Sequence, residues 1–399
     1  MMAKTKKFIL FFIFILLFVY IGNYLYKYYF DLSVPKIEYF GIENNSFYSG
    51  NINCKIEVSD EYKVKYISIY LDNKIIIDKN IINNKHFSIP LNIPTVSLDD
   101  GKHNLKILAV DASKNENLCI KEIPFFVDNS PLEIKLIKVN EPIKIFQGNT
   151  LRLTFQSNKS NIIAYAKTLS YNVPCVLESE KSRVFECFIP IATDEIPNEY
   201  LVSINIEDKV GNTSVIEATY EVVSQIFKKQ TIQLKKKMEN LGSRSDFELE
   251  EIIKIATEGS PSKKLWAGRF YSPCVFKNIS TEFGVIRTSM ERGKYRHDAV
   301  DLNANPKSPV WACQDGVIVA KDNFTNTGNT VVIDHGCGII TLYGHLETFA
   351  NINVGDFIKK GNIIGTVGMT GYATGYHLHW EMRICGIKVN PMEWIKDDL

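Results

Sequence analysis

Hydrophobic and polar positions change their rhythm along the chain, and each change predicts a different kind of element. Phe8 to Gly22 is a run without charge in which Tyr20 is the only polar side chain, and Tyr24 and Leu25 extend it toward Lys27. Fifteen to eighteen such residues, at ~1.5 Å each, make a helix of roughly 23–27 Å, slightly short of the ~30 Å hydrocarbon core, and aromatic residues at its end suit the interface. Lys4, Lys6 and Lys7 precede it, which predicts a cytoplasmic flank and places everything after Tyr28 outside. No small-x-small cleavage pattern follows, so an uncleaved anchor over 1–30 is expected rather than a removed signal peptide.

From about Val34 to Val127 the rhythm shortens to alternating or apolar runs broken by turns. The runs are Lys36 to Tyr39, Ile52 to Val58, Tyr66 to Tyr70, Lys74 to Ile81, His103 to Val110 and Cys119 to Val127, with turn signals at Asp99-Asp100-Gly101 and Asp111 to Asn117. Strand spacing of this kind without a helical period predicts a β-sandwich. Leu132 to Val223 repeats the organisation, and Leu105-Lys106-Ile107-Leu108-Ala109-Val110-Asp111 is echoed by Val202-Ser203-Ile204-Asn205-Ile206-Glu207-Asp208. The expected fold class is therefore mainly β: two immunoglobulin-like sandwiches, over 31–128 and 129–224, ahead of a third region. This likeness is one of fold and says little about function. His86 and His103 are single and strand-associated, and are expected to be structural or exposed.

A linker with a helix is expected over 225–261. Phe227 to Leu234 reads as a strand and Lys235 to Lys237 as a solvated charge run, before Ser245-Asp246-Phe247-Glu248 takes the spacing of a capping box. Leu249, Ile252, Ile253 and Ala256 supply an apolar stripe, best packed on a neighbouring domain. Docking of this helix over a groove of the region that follows is a further expectation to be tested.

Composition narrows the function. With 46 basic and 45 acidic residues the formal net charge is +1, so no global field attracts nucleic acid. The eight cysteines fall in even numbers by region, which suits disulfides in an oxidising space and suits buried thiols equally well. No C-x2-C spacing occurs, which argues against a cysteine zinc site.

Five of the seven histidines lie between His297 and His379. On an extended strand His297 and Asp301 would share a face, and so would His377, His379 and Glu381, with Leu378 and Trp380 turned to the apolar side. Imidazole and carboxylate both bind zinc, and two imidazoles on one face are costly to bury unpaired. Between these clusters lies Tyr343-Gly344-His345-Leu346. Gly365, Gly368 and Gly371 lack the following lysine of a phosphate loop and read as tight turns.

In that order, His297-x-x-x-Asp301, Tyr343-Gly344-His345-Leu346 and His377-Leu378-His379 resemble the M23 peptidases, the lysostaphin- and LytM-like zinc endopeptidases. The resemblance runs from about Leu265 to Ile395 and includes Ser280 to Gly284, Gly328 to Gly336 and Gly361 to Gly365. It implies an antiparallel β-sheet peptidase domain over 262–399 with a groove-type zinc site. His297, Asp301 and His379 would bind one Zn2+ per chain. His377 would activate the attacking water, and His345 would orient it and stabilise developing charge. Tyr343 would flank the oxyanion, and Glu381 would support a ligand. His335, after Asp334 in a turn, is expected to be structural or exposed. Ala299 stands where the family usually has Gly, and Tyr376 where it often has Pro; the latter bears on specificity.

The function implied is hydrolysis of peptide cross-links or stem peptides of peptidoglycan by a single-pass protein of the bacterial cytoplasmic membrane, its C-terminal domains periplasmic or extracytoplasmic. Peptidoglycan, the membrane and a cell-envelope protein are the implied partners, with no nucleic acid. Two alternatives stand beside it: a wall-binding regulator that recruits another hydrolase, and a peptidase for protein substrates.

Overall fold

A computed structural model describes residues 2–137, 143–168, 171–231, 244–289 and 293–396. The run Lys235–Lys237 and the side chains of Lys4, Lys6 and Lys7 lie outside the described residues. The chain is mainly β and divides into two compact units, Met1–Pro131 with Lys209–Gly211, and Leu132–Asp208 with Asn212–Leu399.

In the first unit the helix Met2–Phe30 continues past Gly22, because Asn23 does not break it and Tyr24, Leu25 and Tyr26 carry the apolar surface on. Phe8–Phe30, 23 residues with no part buried, spans roughly 35 Å at ~1.5 Å per residue, which removes the shortfall expected from the shorter run. Six strands succeed it among the described residues. The runs at Ile52 and Tyr66 prove to be one strand, Asn51–Leu71, and its hairpin partner Lys74–Pro94 continues well beyond Ile81. Asn83, Asn84 and Lys85 hid that continuation from the hydrophobic pattern, since they are strand residues with exposed side chains. Asp72 and Asn73 close the hairpin with φ of 48° and 66°, the paired positive values that match the twist of the strands. Strand Asn51–Leu71 pairs with Lys36–Phe40 through Lys55–Ser59 and with Gly101–Asp111 through Val64–Leu71. It changes partner around Asp60.

The second unit begins with an eight-stranded sheet among the described residues. Cys175 and Cys187 face each other on adjacent antiparallel strands and form a disulfide. The other six cysteines are free thiols, so even spacing by region marked a crosslink in one region of three. This sheet shares a core with the C-terminal part of the chain. Phe188 packs against Trp266 and Trp394, Trp394 Nε1 donates to Thr150 Oγ1 at 3.1 Å, and Lys264 pairs with Glu186 at 2.6 Å.

The C-terminal part is built on a ten-stranded, largely antiparallel sheet whose central path runs Asn278–Thr281, Val300–Asn303, His377–Ile384, Ile339–Phe349, Gly328–Asp334 and Gly316–Phe324. Lys229–Thr231, Val285–Ser289 and Gly293–His297 make a small separate sheet. The helix Asp246–Glu258 starts at Ser245 with both halves of a capping box. It buries Leu249 and Ile253 against Ala320, Phe324, Val332, Ile340 and Leu342, worth ~1.5–3 kcal/mol for each large side chain. Neither Leu249 nor Ile253 lines the groove that holds the histidines, so the helix does not dock over it as expected. An apolar stripe shows that a helix packs, and only the fold shows on which face.

Candidate functional site

Register brings the chemistry together. Val300–Asn303 pairs with His377–Ile384 so that Asp301 stands opposite His379 and Asn303 opposite His377. Ile339–Phe349 flanks the other side, with Gly344 opposite His379. His297 and Asp301 do not share one strand. His297 ends Gly293–His297 in the small sheet and Asp301 lies in Val300–Asn303 of the large one, so a turn through Asp298 and Ala299 carries out the convergence expected of strand periodicity.

Asp301 Oδ1 lies 3.1 Å from His297 Nε2 and 3.1 Å from His379 Nδ1. Its other oxygen accepts from Arg287 Nη2 at 2.8 Å. Ligands ~2.0–2.1 Å from a tetrahedral ion sit roughly 3.4 Å apart, close to this spacing. The three groups offer one ligand atom each within 4.8 Å of one another. The donor set therefore fits zinc. Burial would raise the Asp301 carboxyl, but hydrogen bonds from His297 and His379 outweigh it and hold the group well below the ordinary carboxylate range. Burial pushes the His297 imidazole down, toward the neutral form that binds metal.

His345 and His377 complete the cluster, their ring centres 4.7 Å apart. His345 Nδ1 bonds Thr370 O at 2.8 Å and His377 Nδ1 bonds Gly375 O at 2.8 Å. A carbonyl can only accept, so both rings carry their proton on Nδ1 and keep a lone pair on Nε2. Burial lowers both imidazoles, and His345 is pushed further by the neighbouring His377 and His379. His345 also has a φ of 58°, an uncommon left-handed geometry for a residue with a Cβ. Its amide donates to Thr327 O at 2.6 Å, which holds that conformation.

The five side chains line a groove of about 410 Å³. Its walls include Arg287 and Tyr295, Asn326 and Thr327, and Tyr372 to Tyr376. Residues 290–292, between Arg287 and Tyr295, lie outside the described residues. Two expected helpers are elsewhere. Tyr343 is fully buried, and its hydroxyl meets Cys313 and Thr341 on the apolar side of the sheet. Glu381 directs its carboxylate to Arg383 and Lys388 rather than to a histidine. His335 is buried and bonded to Asp315 O and Thr341 Oγ1, as expected of a structural residue. Arg287 is the partner that sequence reading missed, because it lies fourteen residues before Asp301 and no local motif ties the two together.

A carboxylate shared by two imidazoles, beside two further imidazoles with free lone pairs, could hold a metal ion and accept a proton next to it. Residues 295–391 match Peptidase family M23, and this part of the chain is an M23 peptidase domain. The chain is 40% identical over 120 residues to the DD-carboxypeptidase/endopeptidase Mpg of Neisseria meningitidis, covering 30% of this chain and 27% of that one. It is 37% identical over 121 residues to the peptidoglycan DD-endopeptidase ShyC of Vibrio cholerae, covering 30% and 28%. The alignment thus spans little more than a quarter of these curated relatives. A putative M23 peptidase from Pseudomonas aeruginosa aligns with 64% of this chain and 95% of its own, at 21% identity and a TM-score of 0.45.

Proposed function

We propose that this chain is a zinc-dependent endopeptidase that cleaves peptide cross-links or stem peptides of peptidoglycan while anchored in the bacterial cytoplasmic membrane, its catalytic groove on the outer side. The observation that carries the reading is the pair His345 and His377, each with Nδ1 committed to a backbone carbonyl and Nε2 free beside the His297, Asp301 and His379 cluster. The wall substrate is supported by the names of the relatives, and the anchor by Phe8–Phe30.

His297, Asp301 and His379 would hold Zn2+, which supplies Lewis acidity toward a water and the scissile carbonyl. The chain's own residues do the proton work. Two Nε2 lone pairs facing the groove orient one water through its two hydrogens. His377, whose Nε2 lies 3.6 Å from Asp301 Oδ1, accepts a proton from that water and returns it to the leaving amine. In this tautomer His345 Nε2 has no hydrogen to give an oxyanion. Its charge-stabilising role belongs to its protonated form, and its first task is to fix the water. Tyr372 to Tyr376 and Asn326 form walls that position the peptide.

The test uses the full chain in detergent, since the peptidase sheet shares its core with the preceding one. Zinc content and release of new amino termini from isolated peptidoglycan are compared for wild type, His297→Ala and His377→Ala. Activity lost in both, with zinc kept only in His377→Ala, supports the reading. Stoichiometric zinc without turnover on varied wall preparations would instead make the domain a wall-binding regulator or a peptidase for proteins.

A further inference from the structure

The repeated segments ending in Asp111 and Asp208 close the same kind of loop. Asp111 N donates to Asn117 O at 3.1 Å, Asn117 N to Asp111 Oδ1 at 2.9 Å, and Asn117 Nδ2 to Asp111 Oδ2 at 2.8 Å. Asp208 repeats all three bonds with Asn212, at 3.0, 2.8 and 2.9 Å. The repeats differ in what neutralises the buried carboxylate. Asp208 Oδ2 receives the Lys159 ammonium at 2.7 Å, with both residues buried.

Among the described residues no such ammonium meets Asp111. Asp60 and Asp31 take its place, each with a carboxylate oxygen within 4.8 Å of the others. Asp60, 8% exposed, uses Oδ1 to accept from the Tyr62 and Lys63 amides, and its Oδ2 is buried without a hydrogen-bond partner. Asp31 is alike: Oδ1 accepts from Ser33, and Oδ2 is buried without a partner. Among the described residues no lysine or arginine forms an ion pair with any of the three. Two orphaned oxygens beside a third carboxylate, in the position that the second repeat fills with its own cation, call for a cation from outside.

We propose that Asp31, Asp60 and Asp111 form a calcium site. Ligands 2.3–2.6 Å from one ion lie at most ~5 Å apart, so one ion can touch all three. An all-oxygen set without His or Cys selects a hard cation, and three protein carboxylates in irregular geometry suit calcium better than magnesium, which keeps its waters and uses one or two carboxylates. Asp31 directly follows the helix Met2–Phe30, Asp60 marks the point where Asn51–Leu71 changes partner, and Asp111 ends Gly101–Asp111. The ion would fasten the end of the helix to the first sheet. Asn115 and Asn117 already donate to Asp31 O, and Lys114 N to Tyr28 O.

The test is calorimetric titration of the full chain in detergent with calcium chloride, together with thermal unfolding in calcium and in calcium-free buffer. Wild type is expected to take up one calcium and to melt higher in its presence. Asp60→Asn, which keeps the shape and removes one of three like charges, is expected to bind at least ~10-fold more weakly. It should melt no lower than wild type without calcium and gain less than wild type when calcium is added. A wild type that takes up no calcium at millimolar concentration, equal uptake by wild type, Asp60→Asn and Asp31→Asn, or equal affinity for magnesium would each overturn the proposal.

Discussion

Arg287 Nη2 caps Asp301 Oδ2 at 2.8 Å, so that the other oxygen of the same carboxylate is turned toward His297 and His379, 3.1 Å from each. The guanidinium thus selects which oxygen faces the cluster and keeps the carboxylate in a one-oxygen pose. Outer partners of this kind typically contribute ~10- to 100-fold in metal affinity or activity. Arg287→Met is therefore expected to weaken zinc binding by that order, read by competition with a chromogenic chelator. Unchanged zinc affinity would limit Arg287 to the groove wall.

The two histidines with free Nε2 atoms set a pH dependence. Burial holds His345 and His377 below the ordinary value of 6.5, so both stay neutral, and able to accept a proton, in mildly acidic solution. The acid limb of kcat should consequently have its midpoint below 6.5. His377→Ala should lose ~100- to 10,000-fold in kcat with its zinc retained. An acid limb above 6.5 would mean that another group governs proton transfer.

Histidine-rich clusters and their order were legible in the sequence because the chemistry demands particular side chains at fixed intervals. What joins His297 to Asp301 was not: strand periodicity put them on one face, whereas a turn between two sheets brings them together. Period two put Glu381 on the face of His379, but its carboxylate turns to Arg383, two residues further along that face, rather than to a histidine. Arg287 was invisible because its partner is distant in sequence, and Asp60 because an acidic residue beside Ser59 and Glu61 reads as a turn until Asp31 and Asp111 are folded against it. Strand content was read from alternation along much of the chain and missed at Asn83 to Lys85, where neither face is buried.

The capped helix makes two separable predictions. Ile253 is buried against the sheet at the helix centre, so Ile253→Ala should cost ~2–5 kcal/mol of stability with no gain in activity per folded molecule. A gain would revive the inhibitory role. Asp246, at the helix start, accepts the Asn326 amide at 2.9 Å, and Asn326 O accepts from Tyr372 N at 2.7 Å. The helix start thereby sets two groove walls. Asp246→Ala should raise KM by about tenfold while leaving kcat close to wild type, and a fall confined to kcat would place its effect on the catalytic histidines instead.

His335 gives the fold a pH dependence separate from catalysis. Burial pushes its imidazole down to about 4, while in the unfolded chain it titrates near the ordinary 6.5. Between those values the unfolded state binds more protons, so stability must fall as pH drops from 6.5 toward 4 and change no further through this group below that. The full difference amounts to on the order of 3 kcal/mol. His335→Gln removes the titration and keeps a polar side chain between Asp315 O and Thr341 Oγ1. Its unfolding midpoint should be lower than wild type at neutral pH but should decline less between pH 6.5 and 4. Equal slopes in urea unfolding across that window would assign the acid sensitivity of the domain to other groups.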